Sequence, residues 1–384
     1  MARTAFVYGE NLLAYDLGDE HPLSPVRRQL AVELIRAFGL LDRPDVALVE
    51  PRSALLEEIE RVHAPAYVEA VRRYSAEPAL AASWEAGQWG LALGGDTPAF
   101  AGMHEAAAAL CGASLTGARA IWGGEADQAF CAGGGLHHAF ANRAAGFCIY
   151  NDCAVAIQAL LDAGAERVAY VDVDVHHGDG TQWIFYENPR VLTCSVHESG
   201  RYLFPGTGGL AERGSGPGQG TSLNIPLPAH SGTGPYLRAV EEVIAPAVRA
   251  FRPDVVVTQN GADPHHADPL AHRQVRMDAF PRHYRLMHEM AFEAAEGRWL
   301  ALGGGGYTFD VVPRAWAMLF AEMIGADLPD ALPEQWLELA RDRTGQELTP
   351  TLLGDADPEV PAEVRERADA EADRVVDQAR ALVS

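Results

Sequence analysis

Asp172, Asp174 and His176 occupy alternate positions of Val168-Ala-Tyr-Val-Asp-Val-Asp-Val-His-His-Gly-Asp-Gly180. Val168 to Val175 is dense in β-branched and apolar residues, which predicts a buried strand, and a period of two puts the three polar side chains on one face. A carboxylate buried in a strand carries a large desolvation cost unless hydrogen bonds or a cation meet it. Two of them with an imidazole therefore point to a metal. Asp254-Val-Val-Val-Thr-Gln-Asn-Gly-Ala-Asp263 repeats the pattern: an apolar strand, small residues, then a carboxylate that is either a further ligand or a helix cap. Two more predicted strands end in glycines followed by reactive side chains. Ala129-Phe-Cys-Ala-Gly133 leads to His137-His138, and Trp299-Leu-Ala-Leu302 leads through four glycines to Tyr307. Glycine lets backbone approach a site closely, so each arrangement can present its side chains over a pocket.

Asp174, His176 and Asp263 make a three-ligand set with positions left open, as a hydrolytic metal site requires for water and a substrate carbonyl. The set suits Zn²⁺, and its oxygen content also admits Fe²⁺, Co²⁺ or Mn²⁺. A histidine of the pair would accept the water proton and later protonate a leaving amine, while Tyr307 would stabilise the oxyanion. That chemistry is amide hydrolysis. Asp172 and Asp179 are spaced to orient the two imidazoles through their second nitrogens.

The elements that carry these residues alternate between strand and helix, which predicts an α/β fold with a mainly parallel sheet and a site at its C-terminal edge. A first strand is expected at Ala5 to Tyr8, a helix near Gln29 to Phe38, an Ala-rich helix from Met103 to Trp122 and a parallel strand at Val191 to His197. In the loop Gly94-Gly-Asp96-Thr-Pro98 the spacing alone favours a turn-capping role for Asp96. Arg27 and Arg28 read as surface charges of a first helical turn, and His63 as structural. Gly214 to Gly220 is a plain loop without the lysine of a phosphate-binding loop. Residues 1–328 form one catalytic domain, and 329–384 an acidic helical extension packed on it.

Among 384 residues, 53 are acidic and 30 basic, for a net charge of −23. Such a balance disfavours nucleic acid and anionic membranes and favours a cationic small molecule or basic peptide. All of the basic residues are arginine, so no lysine side chain of this chain can be acetylated. Without an apolar run of about 20 residues or a leader pattern, the expected location is cytoplasmic. The 5 cysteines include no CxxC pair, so neither a disulfide framework nor a zinc knuckle is expected.

The motifs Gly133-Gly-Gly-Leu-His-His138, Gly146-Phe-Cys-Ile-Tyr-Asn-Asp152, Val171 to Gly180, Tyr202-Leu-Phe-Pro-Gly-Thr-Gly208, Gly261 to Leu270 and Leu302 to Tyr307 follow one another in an order that resembles the zinc-dependent histone deacetylase family. Within it the similarity is to bacterial acetoin-utilisation, AcuC-like deacetylases of class I type, over roughly residues 5–325. The resemblance implies an arginase/deacetylase-like fold and hydrolysis of acetylated lysine in proteins or peptides, with an acetylpolyamine amidohydrolase as the alternative. It implies metal ligands at Asp174, His176 and Asp263, a general base and acid at His138, and an electrostatic partner at His137 paired with Asp172. Asp179 would orient His138, and Tyr307 would bind the acetyl oxygen. Gly146, Phe147 and Phe204 would line a narrow tunnel, Leu270 its rim, and Asp96 would clamp a peptide backbone. Arg27 aligns with an arginine beside the acetate-release cavity. A structural K⁺ would use Asp172, Asp174, His176 and Ser195, partly through carbonyls. The sequence departs from the eukaryotic pattern at Pro264-His265-His266 and has no aromatic beside Asp96, which bears on the choice between protein and small-molecule substrates.

Overall fold

A computed structural model describes residues 3–383. Eight strands, β1 (Thr4–Val7), β2 (Val46–Val49), β3 (Gln128–Cys131), β4 (Val168–Asp172), β5 (Val191–Glu198), β6 (Ser222–Leu227), β7 (Val255–Gln259) and β8 (Trp299–Leu302), form one sheet. Its order is β2-β1-β3-β8-β7-β4-β5-β6, and every neighbouring pair is parallel. Helices flank the sheet, as parallel strands buried on both faces require. The α/β, arginase/deacetylase-like architecture expected from the sequence is the one observed.

The order matters for the site. The four central strands β3, β8, β7 and β4 are the ones that end in Gly133 to His138, Gly303 to Tyr307, Gln259 to Asp263 and Asp172 to His176, so residues far apart in sequence meet at one edge. The helix Met103–Trp122, as expected, packs its Ala-rich surface along β3, β1 and β8.

Several boundaries differ from the sequence reading. β4 ends at Asp172 rather than Val175, because side chains replace the ladder: Asp174 N–H donates to Asp172 Oδ1 at 3.2 Å and Val175 N–H to Asp263 Oδ1 at 2.9 Å. The helix expected near Gln29 begins at Pro25, where Ser24 Oγ accepts the Val26 N–H and proline takes a first-turn position with no donor to lose. Arg27 and Arg28 consequently lie inside the first turn and are buried, not surface charges. β6 follows the Gly-rich loop and was not expected. Its Pro226 is tolerated because β6 is an edge strand.

The outer side of β6 meets the helix Ala362–Ala381, which Arg238 fastens through Asp373 and Asp377. Trp336, on the helix Glu334–Thr344, donates its indole N–H to Leu30 O at 2.9 Å. All five cysteines are buried and unpaired by disulfides. No helix among the described residues is long and apolar enough to cross a membrane.

Candidate active site

Asp174 Oδ1 and Asp263 Oδ2 face His176 Nδ1 at 3.2 and 3.3 Å, all three side chains being buried. The opposite oxygen of each carboxylate is tied down: Asp174 Oδ2 accepts Gln259 Nε2 at 2.7 Å and Gly305 N–H at 2.8 Å, and Asp263 Oδ1 accepts Val175 N–H. A Cβ at Gly305 would run into both carboxylates, so only glycine lets that N–H reach Asp174.

Burial and the neighbouring Asp174 charge push the Asp263 carboxyl above its usual range. Burial alone would lower the His176 imidazole, but hydrogen bonds to Asp174 and Asp263 hold it at about 10. Two buried carboxylates thus compete for protons at one imidazole. That excess of negative charge, with one nitrogen and two oxygen donors close together, is the environment a divalent cation neutralises.

His137 and His138 stand beside this set with their Nε2 atoms 3.0 Å apart. His137 Nδ1 lies 2.8 Å from Asp172 Oδ2, and His138 Nδ1 lies 2.8 Å from Asp179 Oδ1. The two pairs look alike but differ electrostatically. Burial pulls His137 down, yet the Asp172 and Asp174 charges outweigh it and hold the ring at about 9. Burial and the flanking positive charge of His137 and His176 push His138 well below the ordinary value. A charged imidazole therefore abuts a neutral one, whose Nε2 is left as an acceptor by the Asp179 contact at Nδ1.

A cavity of about 270 Å³ opens onto these groups. Phe147, Phe204, Leu203 and Leu270 line it together with His138, His176 and Tyr307. The Phe204 ring stands edge-on to His138 at 5.0 Å, and the Phe147 ring edge-on to Tyr307 at 5.8 Å. Phe147 adopts φ +70°, an uncommon conformation for a bulky residue that costs about 1–3 kcal/mol and persists only where the surroundings enforce it. Gly146 before it leaves no room for a Cβ against the His138 ring. Asp96 reaches the same mouth and accepts the Gly146 N–H at 3.0 Å through Oδ2, so its carboxylate braces the tunnel wall instead of only capping its own turn.

Arg27 donates to Gly304 O at 2.8 Å and Gly306 O at 3.1 Å, next to a small inner hollow of about 20 Å³ behind Tyr307. Arg28 turns away to Leu12 O. Ser195 is the register partner of Asp172, and its hydroxyl contacts His197 Nδ1 at 2.8 Å. His63 is structural as expected, its ring nitrogens meeting Phe140 O and the Asn151 N–H.

Residue types and spacing did not disclose Gln259, whose amide braces Asp174; its one signal is its place at the end of an apolar strand. Nor did they disclose the second group of ligand-type residues, His265, His266 and Asp355. Both imidazoles place Nε2 2.9 Å from Asp355 Oδ1. A larger groove of about 680 Å³ between the Ser199 to Glu212 segment and the helix Ala362–Ala381 brings no such chemistry together.

The histone deacetylase domain model matches residues 21–323. The chain belongs to the histone deacetylase family. It is similar to the acetoin utilization protein AcuC of Bacillus subtilis (strain 168), with 44% identity over 338 residues covering 88% of this chain and 86% of the relative. AcuC of Staphylococcus xylosus is 38% identical over 336 residues, covering 87% and 86%. AcuC of Staphylococcus aureus (strain MRSA252) is 37% identical over 339 residues, covering 88% and 86%. Family membership and the strand-end cavity together identify a deacetylase-type hydrolase.

Proposed function

We propose that the chain hydrolyses the acetyl amide of acetylated lysine in proteins or peptides, releasing lysine and acetate. The observation that carries this reading is a narrow, apolar-walled cavity that ends at a carboxylate-rich ligand set, a neutral imidazole and a phenol. An acetylated lysine is a neutral amide on a long apolar stem, and such a channel admits it while excluding bulk water.

Asp174, His176 and Asp263 would hold the cation, Zn²⁺ in our reading with Fe²⁺ or Co²⁺ as substitutes, and the bound cation would supply Lewis-acid polarisation of the acetyl carbonyl and acidification of water. His138 Nε2 takes the proton as the water oxygen adds to the carbonyl carbon. The same nitrogen returns it to the amine as the C–N bond breaks. His137, kept charged by Asp172, stabilises the negative charge that develops, and Tyr307 donates its hydroxyl to the acetyl oxygen. Asp179 holds His138 in the accepting tautomer. Gly146, Phe147, Phe204 and Leu270 enclose the stem, and Asp96 meets the substrate backbone at the mouth. Arg27 would attract acetate toward the inner hollow. A structural K⁺ at Asp172, Asp174, His176 and Ser195 completes the proposed set, and the cytoplasm is the proposed location.

The net charge of −23 favours a second reading, an acetylated polyamine taken into the same channel. Acetate release by zinc-reconstituted protein, with an acetyl-lysine peptide and acetylputrescine at equal concentration, separates the two. Preference for the peptide supports the first reading; preference for acetylputrescine moves the substrate to small amines and keeps the centre.

A further inference from the structure

Tyr307 closes a run of four glycines, and a backbone of that composition does not hold a phenol in place by itself. Two buried charges hold it from opposite sides. Arg27 takes the carbonyls of Gly304 and Gly306, and Asp268 Oδ2 accepts the Tyr307 N–H at 2.9 Å. The other oxygen of Asp268 accepts the Leu270 N–H at 2.9 Å. One carboxylate, 7% exposed, therefore ties together the loop that carries the phenol and the loop that carries the rim leucine, and both residues line the cavity.

Placing a carboxylate there is costly, since burial takes its charge out of water. Its neighbours add to the cost: the carboxylates of Asp174 and Asp263 repel it, while the Leu270 and Tyr307 N–H groups, His176 and Arg27 oppose them. A neutral side chain would fill the space more cheaply, but an ionised carboxylate offers two strong acceptors pointing different ways.

We propose that Asp268 is a positioning residue for the reaction, acting through the Tyr307 backbone to set where the phenol hydroxyl sits above the ligand set, with the Leu270 rim held in the same register. The inference rests on the hydrolytic reading above for its kinetic consequences, though not for its structural one. Misplacing a reacting group by about 1 Å costs about 10²-fold.

The test combines Asp268→Ala and Asp268→Asn with Tyr307→Phe. In zinc-reconstituted protein, Asp268→Ala is expected to lower kcat by about 10- to 100-fold with little change in KM, and Asp268→Asn, which keeps one acceptor, by less. The decisive comparison is the double variant: when Asp268 acts through Tyr307, Asp268→Ala/Tyr307→Phe loses scarcely more than Tyr307→Phe alone. Losses that multiply would overturn the proposal, as would a rise in KM at unchanged kcat. Independently of activity, amide hydrogen exchange in the metal-free protein should quicken at Tyr307 and Leu270 in Asp268→Ala while the sheet amides keep their protection. Should alanine prevent folding, the same exchange is read on Asp268→Asn. A wild type that turns over no acetylated substrate refutes the proposed function, and exchange then decides the role of Asp268: unchanged protection at both amides refutes it.

Discussion

Asp174, His176 and Asp263 form one group of imidazole and carboxylate; His265, His266 and Asp355 form another, and the loop after β7 contributes to both. Judged by spacing the two are alike, yet their charge balance is opposite. In the first, two buried carboxylates share one imidazole, which lines the cavity, so negative charge is in excess. In the second, one carboxylate is met by two imidazoles, by the Met277 N–H at 2.9 Å and by Arg276 at 3.7 Å. Burial would raise Asp355, but the two histidines hold it well below the usual carboxylate range.

The tautomer separates them as well. Ala267 N–H donates to His265 Nδ1 at 3.2 Å, which puts the proton of the neutral ring on Nε2, the nitrogen turned toward Asp355. A metal needs a lone pair at that atom, and a metal-bound imidazole usually donates through its other nitrogen. The second group is thus a clasp that fastens the segment around Asp355 to the loop after Asp263. Ligand-type residues make a metal centre when their charge is uncompensated and their free lone pairs converge, not when they are merely close.

Substitutions can break this contrast. Asp263→Asn removes a ligand charge and should weaken metal retention by more than the ~10–100-fold that loss of an outer partner costs, abolishing turnover. Unchanged metal content after dialysis against chelator would remove Asp263 from the set. His138→Ala leaves the ligand set intact and should lower kcat by ~10²- to 10⁴-fold, so near-normal turnover would exclude it as proton carrier. Tyr307→Phe should lower kcat by ~10²- to 10³-fold at unchanged metal content; a variant that instead loses metal would contradict its placement. The smallest effect belongs to the clasp. Asp355→Ala takes the carboxylate away from His266 and from the buried His265 and should cost about 1–3 kcal/mol of stability, read as a lower Tm, with metal content unchanged.

Much of the first group was legible because its chemistry conflicts with its setting. Carboxylates in an apolar strand, at Asp172 and Asp174, have few explanations, and the paired histidines and Tyr307 each follow glycines at a strand exit. The parallel sheet was legible from alternation, though not its order, since adjacency of β3, β8, β7 and β4 depends on crossovers of long sequence separation. Gln259 and Asp268 escaped for a different reason, and Arg27 was placed near the site by family resemblance alone: each acts on the backbone or a side chain of a distant segment, and neither composition nor period marks such a partner. Asp355 escaped similarly, lying 89 residues from His266. β4 was drawn too long because its final N–H groups bond to carboxylates, and a hydropathy pattern does not distinguish those from ladder partners.

The most direct test of the account is acetate release from an acetyl-lysine peptide by zinc-loaded wild type, with Asp263→Asn and Asp355→Ala assayed alongside. The account predicts release by wild type and by Asp355→Ala, and none by Asp263→Asn. Release that survives Asp263→Asn, or that Asp355→Ala abolishes in folded protein, would contradict it.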